Sequence, residues 1–216
     1  MRLPRLEFGS LLTYCPRGDS EKIQNSKNIM YAIKGDKFVD KPQILMSQWI
    51  AKTISNHRAS LPFDSFFQHN TILVPVPKSS LMRPDTLWAP QRIANALASQ
   101  GLGKEVALCL VRNKPVIKSA TSPASMRPTP DVHYDSLIVQ EILSEPNEIL
   151  LVDDIVTRGS TLLGSANRLA DVYPQARIRA FAAMRTISNP DDFNKVNDPC
   201  IGTIELRELG DTIRRP

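Results

Sequence analysis

Cysteine is scarce. Cys15, Cys109 and Cys200 are the only three in 216 residues, they stand far apart, and no two form a CxxC pair. Neither a zinc ribbon nor a disulfide framework is indicated, and Cys109, inside VALCLV, reads as a small buried hydrophobe. Histidine is as rare. His57, His69 and His133 show no ligand spacing, so each is expected in a structural or surface role. Long apolar runs are missing too: no stretch approaches the roughly 20 residues of a membrane span. The opening MRLPRLEFGS lacks the continuous apolar segment of a signal peptide. A cytoplasmic protein without a membrane partner is the expectation. No internal repeat is visible. An aromatic-basic stacking surface is also wanting, since Trp49 falls on a core face and only Trp88 and Tyr134 stand near basic loops.

What is present is ordinary globular composition, 42% hydrophobic and 23% charged, in a chain long enough for one domain with a sizeable core plus appendages. The formal charge of +5 suits a polyanionic partner, either a nucleic acid or a highly phosphorylated small molecule.

Along the chain, residues 1 to 20 show no clear period. A helix is expected from Ser20 as N-cap. QILMSQWIAKTISNH places Leu45, Met46, Trp49, Ile50 and Ile54 at helical spacing behind Pro42. TILVPVP (71–77) reads as a buried strand ending at its prolines, LWAPQRIANALASQ (87–100) as a helix with Pro90 in its first turn, and VALCLVR (106–112) as a strand. Residues 113 to 135 are rich in Pro and Ser without a period, the mark of a functional or disordered loop. SLIVQ and EILLVDD read as short strands, STLLGSANRLADVY as a helix, ARIRAFAAM as a strand and GTIELREL as one more. Strands alternating with helices imply an α/β fold with a mainly parallel sheet.

The informative stretch is EILLVDDIVTRGSTLLGSANRLADVY, residues 148 to 173. In an open α/β sheet, ligands bind at the carboxyl ends of strands, and Asp153 and Asp154 sit at such an end. Thr157, Arg158, Gly159, Ser160 and Thr161 then open a helix. Backbone N–H groups, the helix N-terminus and the hydroxyls there can wrap a phosphate, with Gly159 permitting close approach. Two carboxylates beside a phosphate make sense when the ligand also carries hydroxyls or a cation. A sugar phosphate supplies the hydroxyls: the acids would hold a ribose while the loop holds its 5′-phosphate. ILLVDD also opens receiver domains of two-component signalling, but the later strands and phospho-acceptor of that fold are missing here.

ILLVDDIVTRGSTL resembles the phosphoribosyl-pyrophosphate (PRPP) motif of type I phosphoribosyltransferases, and the wider pattern is similar to their ComF-like branch. AIKGDKF resembles that branch's early lysine-containing turn, ILVPVPKSSLMR its proline-rich pyrophosphate loop, and Met184-Arg185 the short Arg-ended strand after the motif. The resemblance covers roughly residues 28 to 186, which would form the phosphoribosyltransferase-like domain between an N-terminal extension (1–27) and a C-terminal extension (187–216). Arg158 stands where the branch usually has Thr, Leu87-Trp88-Ala89 where it commonly has Phe-Asn-Gln, and residues 1–27 hold only Cys15 where the branch often has a Cys-rich module.

The resemblance implies a Rossmann-like parallel sheet with flanking helices and a mobile hood loop over the site. It implies displacement of pyrophosphate from C1 of PRPP by a nitrogenous base or another nitrogen acceptor, with Mg²⁺ held mainly by PRPP and indirectly by Asp153 and Asp154. These two acids are the candidate catalytic residues, Thr157, Arg158, Gly159, Ser160 and Thr161 the 5′-phosphate loop, and Lys78, Ser79, Lys118 and Arg127 the pyrophosphate ligands. Lys114 shares the hood segment, and Arg185 faces the acceptor. Other readings stay open: a catalytically silent PRPP-binding regulator, a ComF-like accessory protein that handles DNA or RNA, or an effector using the fold on a non-standard acceptor. A homodimer is also left open.

Overall fold

Inside the main sheet lies β1 (Arg5–Tyr14), where no strand was expected. Its side chains are buried on both faces from Phe8 onward apart from the last residue. A strand covered on both sides alternates poorly, and Gly9 and Ser10 dilute the apolar run, so the sequence showed no period of 2. The computed structural model describes residues 3–40, 43–83, 85–117, 126–140 and 145–216.

From β1 the chain enters α1 (Glu21–Gly35), with Ser20 at the N-cap position as expected, though its side chain makes no capping hydrogen bond. A small antiparallel pair follows, β2 (Phe38–Asp40) and β3 (Gln43–Leu45). The expected second helix starts later than its first apolar residue suggests: Gln43 to Leu45 belong to β3, and α2 covers Met46–His57. Pro42 lies outside the described residues. Next come β4 (Ile72–Pro75), α3 (Ala89–Ser99) with Pro90 in its first turn, β5 (Glu105–Val106) and β6 (Leu110–Arg112). The single strand expected over 106–112 is thus two, the first in the main sheet and the second paired with β7 (Leu137–Val139). Within the segment expected to be a loop, Pro130–Asp135 forms a short helix, α4. The chain ends with β8 (Glu148–Val156), α5 (Ser160–Val172), β9 (Arg177–Thr186), β10 (Asn197–Leu206) and β11 (Thr212–Arg215).

The main sheet has seven strands in the order β11-β10-β1-β9-β8-β4-β5. Strands β1, β9, β8, β4 and β5 are parallel, while β10 and β11 add an antiparallel edge. Residues 1–27 and 187–216 therefore supply three of its strands. The faces have separate cores. On one, α1, α2 and α3 pack Met30, Ile50, Ile54, Ile93 and Leu97 against Leu73, Leu150 and Phe181. On the other, α5 packs Leu162, Leu163 and Leu169 against Val74, Leu151 and Ala180. Phe181 meets Phe63 and Phe67 with ring centroids 5.6 and 5.5 Å apart, tilted or edge-on as aromatic quadrupoles prefer. The expected fold, a mainly parallel α/β sheet flanked by helices, is the one observed. Among the described residues no helix is long and apolar enough to cross a membrane.

Candidate functional site

The chain leaves β4 through α3 on one face of the sheet and leaves β8 through α5 on the other. Since β4 and β8 are neighbours, the boundary between them is the topological switch point, where open α/β sheets bind ligands beyond the carboxyl ends of their strands. Pairing of β4 with β8 ends at Pro75 opposite Val152, and Val76 N–H donates one more bond to the Val152 carbonyl at 2.9 Å. Beyond that rung β8 stays paired with β9 as far as Val156. The two strands part there. The loop carrying Lys78 leaves one side and the loop from Thr157 to Thr161 leaves the other. Trp88 steadies the first: its buried Nε1–H donates to the Val76 carbonyl at 2.8 Å. This residue is a loop anchor and not a stacking platform.

Asp153 and Asp154 are the last acids of β8, each partly buried. The Asp154 N–H donates to Asp153 Oδ1 at 2.8 Å, and the Ile155 N–H to Asp154 Oδ1 at 2.7 Å. Desolvation, then repulsion from Asp154, pushes the Asp153 carboxyl well above the ordinary carboxylate range, although Asp153 keeps some exposed surface. Such an environment favours the neutral acid, and a cation or hydrogen donor placed beside it favours the carboxylate. Lys34 is the cation whose field opposes that shift. It sits in the last turn of α1, which closes on Asp36 in the left-handed region at φ 42°. The buried Asp36 carboxylate accepts the Ser47 N–H of α2 at 2.9 Å. The AIKGDKF turn is thereby pinned near the acid pair, and Lys34 joins the site.

The loop after β8 is held from outside itself. Gly159 takes φ +90°, and a Cβ there would come within 2.6 Å of the Ile204 side chain on β10, so only glycine fits. It is the N-cap of α5 and offers no side-chain cap. An N-cap side chain contributes about 1 kcal/mol, whereas burying three leucines contributes about 2 kcal/mol each. Leu162, Leu163 and Leu169, all within 1% of full burial, thus hold α5 while its first N–H groups stay open to a ligand. Each loop hydroxyl has a partner: Thr157 Oγ1 with Thr186 Oγ1 at 3.3 Å, Ser160 Oγ with Thr212 Oγ1 at 2.9 Å, and Thr161 Oγ1 with His133 Nε2 at 3.2 Å. From β11, Arg214 donates through Nε to the Thr157 carbonyl at 2.7 Å and through NH2 to the Thr186 carbonyl at 2.6 Å. A hydroxyl that accepts from such a partner keeps its own hydrogen for an anion.

His133 is 2% exposed. Desolvation and the nearby Arg112 lower its pKa to about 4, so the ring is neutral near pH 7. Its Nδ1 is buried without a partner. An unpaired lone pair costs less than an unpaired N–H, which assigns the hydrogen to Nε2 and makes His133 the donor to Thr161. Its helix α4 lies hard against α5: a Cβ on Gly164 would meet the Pro130 carbonyl at 2.5 Å.

The remaining expected residues divide. Lys78 and Ser79 lie in the loop after β4, partly buried. The Lys78 carbonyl accepts from Arg112 Nε and the Ser79 carbonyl from Val116 N–H at 2.7 Å. Arg158 is partly buried in the loop between β8 and α5, and Lys114 is exposed. Arg127 is partly buried and engaged within the protein. Lys118 lies outside the described residues. Arg185, on β9, is buried and reaches toward β1 and β10, where its NH2 pairs with Asp198 Oδ2 and its NH1 meets Ser10 Oγ at 3.2 Å. Among the described residues no three His, Cys, Asp or Glu side chains gather as a metal cluster. Cys109 is buried with its thiol pushed up to about 11, the inert hydrophobe expected. Two surface hollows lie elsewhere, one by Gln48 and Gln100 between α2 and α3, the other by Asn70 and Lys104 at the amino ends of the strands. Neither contains the acid pair or the loops.

Sequence reasoning missed Lys34, Arg112, His133, Thr186, Thr212 and Arg214 as parts of this region. For Arg112 a signal existed, a charged residue closing an otherwise apolar strand. For Thr212 and Arg214 none did, because strand register alone brings them to the loop.

No protein-family model and no curated protein matches the chain. Among solved structures, a hypoxanthine phosphoribosyltransferase from Staphylococcus aureus is 12% identical, over 69% of this chain and 68% of that one, with a TM-score of 0.34. A mutant hypoxanthine phosphoribosyltransferase from Trypanosoma cruzi, in a ternary substrates complex, is 15% identical over 85% of this chain and 92% of that one, also at 0.34. Likeness at this level decides nothing about ligand or reaction.

Proposed function

We propose that the chain binds PRPP at the switch point and transfers its phosphoribosyl group to a nitrogenous acceptor, releasing pyrophosphate. The observation that carries this reading is the pairing of two features at one strand end. A desolvated acid, Asp153, with the Asp154 carboxylate next to it, stands beside a glycine-opened helix N-terminus with uncapped N–H groups. The first suits ribose hydroxyls and the second a phosphate, and PRPP carries both. The finer, ComF-like assignment rests on the sequence motifs alone.

In this reading the N–H groups of Ser160, Thr161 and Leu162 and the hydroxyls of Thr157, Ser160 and Thr161 bind the 5′-phosphate. Asp153 and Asp154 accept the 2′- and 3′-hydroxyls, which relieves their mutual repulsion. Lys78 and Ser79 meet the pyrophosphate across the crevice, and Arg158 adds positive charge beside the 5′-phosphate. With leaving group and ribose anchored at opposite ends, the bond between C1 and pyrophosphate is held in line for a nitrogen nucleophile. Either acid can take the proton the nucleophile sheds. Two adjacent carboxylates short of a counter-charge also suit Mg²⁺ held chiefly by substrate phosphates and water. When bound, Mg²⁺ supplies charge neutralisation for the departing pyrophosphate.

Titration calorimetry with PRPP and Mg²⁺ tests the reading, followed by an assay of pyrophosphate release with nitrogenous bases. Binding with release supports it. Absence of heat at millimolar PRPP overturns it, and binding without release for any base makes the chain a PRPP-binding regulator.

A further inference from the structure

Three described arginines are almost wholly buried: Arg112 at 3% exposure, Arg179 at 3% and Arg185 at 4%. Two are neutralised. Arg179 pairs with Glu148 at 2.9 Å and Arg185 with Asp198. Arg112 forms no ion pair among the described residues. Its Nε donates to the Lys78 carbonyl and its NH1 to Ser136 Oγ, while NH2 is buried with no acceptor. Desolvation lowers its pKa only to about 10, so it remains a cation at neutral pH. A buried guanidinium with a spare donor and no counter-charge is unfavourable. An anion arriving nearby offsets that cost.

The location says which anion. Arg112 closes β6 on the last rung of its pairing with β7, opposite Leu137. Its bond to Lys78 sets it against the turn that follows β4. The chain beyond it returns to the same turn, where Val116 N–H donates to the Ser79 carbonyl at 2.7 Å. Asn113 N–H donates to the Ser136 carbonyl at 3.0 Å, which fixes the other flank. One planar fork thus bridges a carbonyl of the Lys78 loop and a hydroxyl on the segment entering β7. A lysine, with a single ammonium on a flexible stem, cannot make both contacts in fixed geometry.

We propose that Arg112 is a positioning residue for the diphosphate end of the ligand: it fixes the Lys78–Ser79 turn in the shape that meets pyrophosphate, and its unbalanced charge is offset when that anion binds. This rests on the PRPP reading and adds to it a residue outside the recognisable motifs. It also implies a division of labour, in which Arg112 serves the pyrophosphate end while His133 and Thr212 serve the 5′-phosphate end.

The experiment titrates the full chain separately with Mg²⁺-pyrophosphate and with ribose 5-phosphate, in wild type, Arg112→Lys and Arg112→Met. Wild type should bind both. Arg112→Met should lose about tenfold or more in pyrophosphate affinity, as expected for losing a charge-assisted anchor, and keep ribose 5-phosphate within roughly twofold. Arg112→Lys should fall between. Because Arg112→Met removes an unpaired buried charge, its thermal midpoint should equal or exceed that of wild type, which removal of a merely structural arginine would not give. Unchanged pyrophosphate affinity in folded Arg112→Met overturns the proposal, as does equal loss of both ligands. Wild type that binds neither ligand overturns the PRPP reading itself. Should both variants fail to fold, arginine-labelled wild type decides by NMR. A slowly exchanging guanidinium signal should move with pyrophosphate and stay still with ribose 5-phosphate, and stillness with both overturns the proposal.

Discussion

Ser160 Oγ lies 2.9 Å from Thr212 Oγ1, a residue 52 positions later on the last strand of the sheet. Thr212 is 3% exposed, so its hydroxyl cannot turn to bulk water. If it donates to Ser160, the Ser160 hydrogen is left for a bound phosphate. Thr212→Val keeps the shape and removes the donor. The expected result is a loss of about 1 kcal/mol, roughly fivefold, in ribose 5-phosphate affinity, with Thr212→Ser close to wild type. Calorimetry on both variants checks it, and equal affinities would remove Thr212 from the site.

That contact marks where the sequence stopped being legible. The strand-end acids, the glycine-opened loop and α5 were readable because their signals are local: an apolar run, two acids, a turn residue and a helical stripe within 26 residues. The helices α1 and α3 were readable from caps and prolines. By contrast, β1 was hidden because burial on both faces erases alternation. The partners of the loop hydroxyls were hidden because Thr186, Thr212 and His133 reach the loop through sheet register and helix packing, which have no local signature. Lys34 fell between these cases: its turn was noticed, but its nearness to Asp153 is a product of the tertiary fold.

Gly159 and Ile204 form the second testable contact. Gly159→Ala places a Cβ about where Ile204 already packs and forces a non-glycine residue to φ +90°. The backbone term and the collision together should cost about 2 kcal/mol, a fall of roughly 4–8 °C in thermal midpoint for a chain of this size. Adding Ile204→Ala, which removes all three of the Ile204 carbons within 2.7 Å of that Cβ, should recover only the packing part. If the double variant is no more stable than the sum of the single effects predicts, the two residues are not coupled.

Asp153 carries a stability cost that follows from its environment. Its folded pKa is raised above the unfolded value of 3.8 by desolvation first and by Asp154 second. Stability linked to it is therefore fully present below that unfolded value and is lost as pH rises through the raised folded value. Asp153→Asn removes the ionisation. The variant should be more stable than wild type at pH 8, with a smaller gain at pH 5, and should bind PRPP at least about tenfold more weakly through loss of an anionic acceptor. Thermal melts at the two pH values, paired with calorimetry, separate the effects. A variant destabilised at pH 8 would contradict the strained-acid description.

His133 gives the opposite sign. Its folded pKa is lowered to about 4, by burial first and by the Arg112 charge second, against an unfolded value of 6.5. Above pH 6.5 neither state binds the proton, so the residue has no pH effect. Between 6.5 and 4 the unfolded chain takes up a proton that the folded protein refuses, and stability falls as pH falls. At 1.36 kcal/mol per pKa unit the full loss is about 3 kcal/mol, levelling off below pH 4. Asp153 contributes in the other direction over part of the same range, so the comparison must be with a variant and not with a fixed slope. His133→Gln does not titrate. Its amide N–H can donate to Thr161 as the Nε2–H does. Chemical denaturation at pH 7 and pH 4.5 should show wild type losing about 2 kcal/mol more than His133→Gln over that step. Identical losses would mean that His133 is not held neutral in the folded protein, and the donor role toward Thr161 would fall with it.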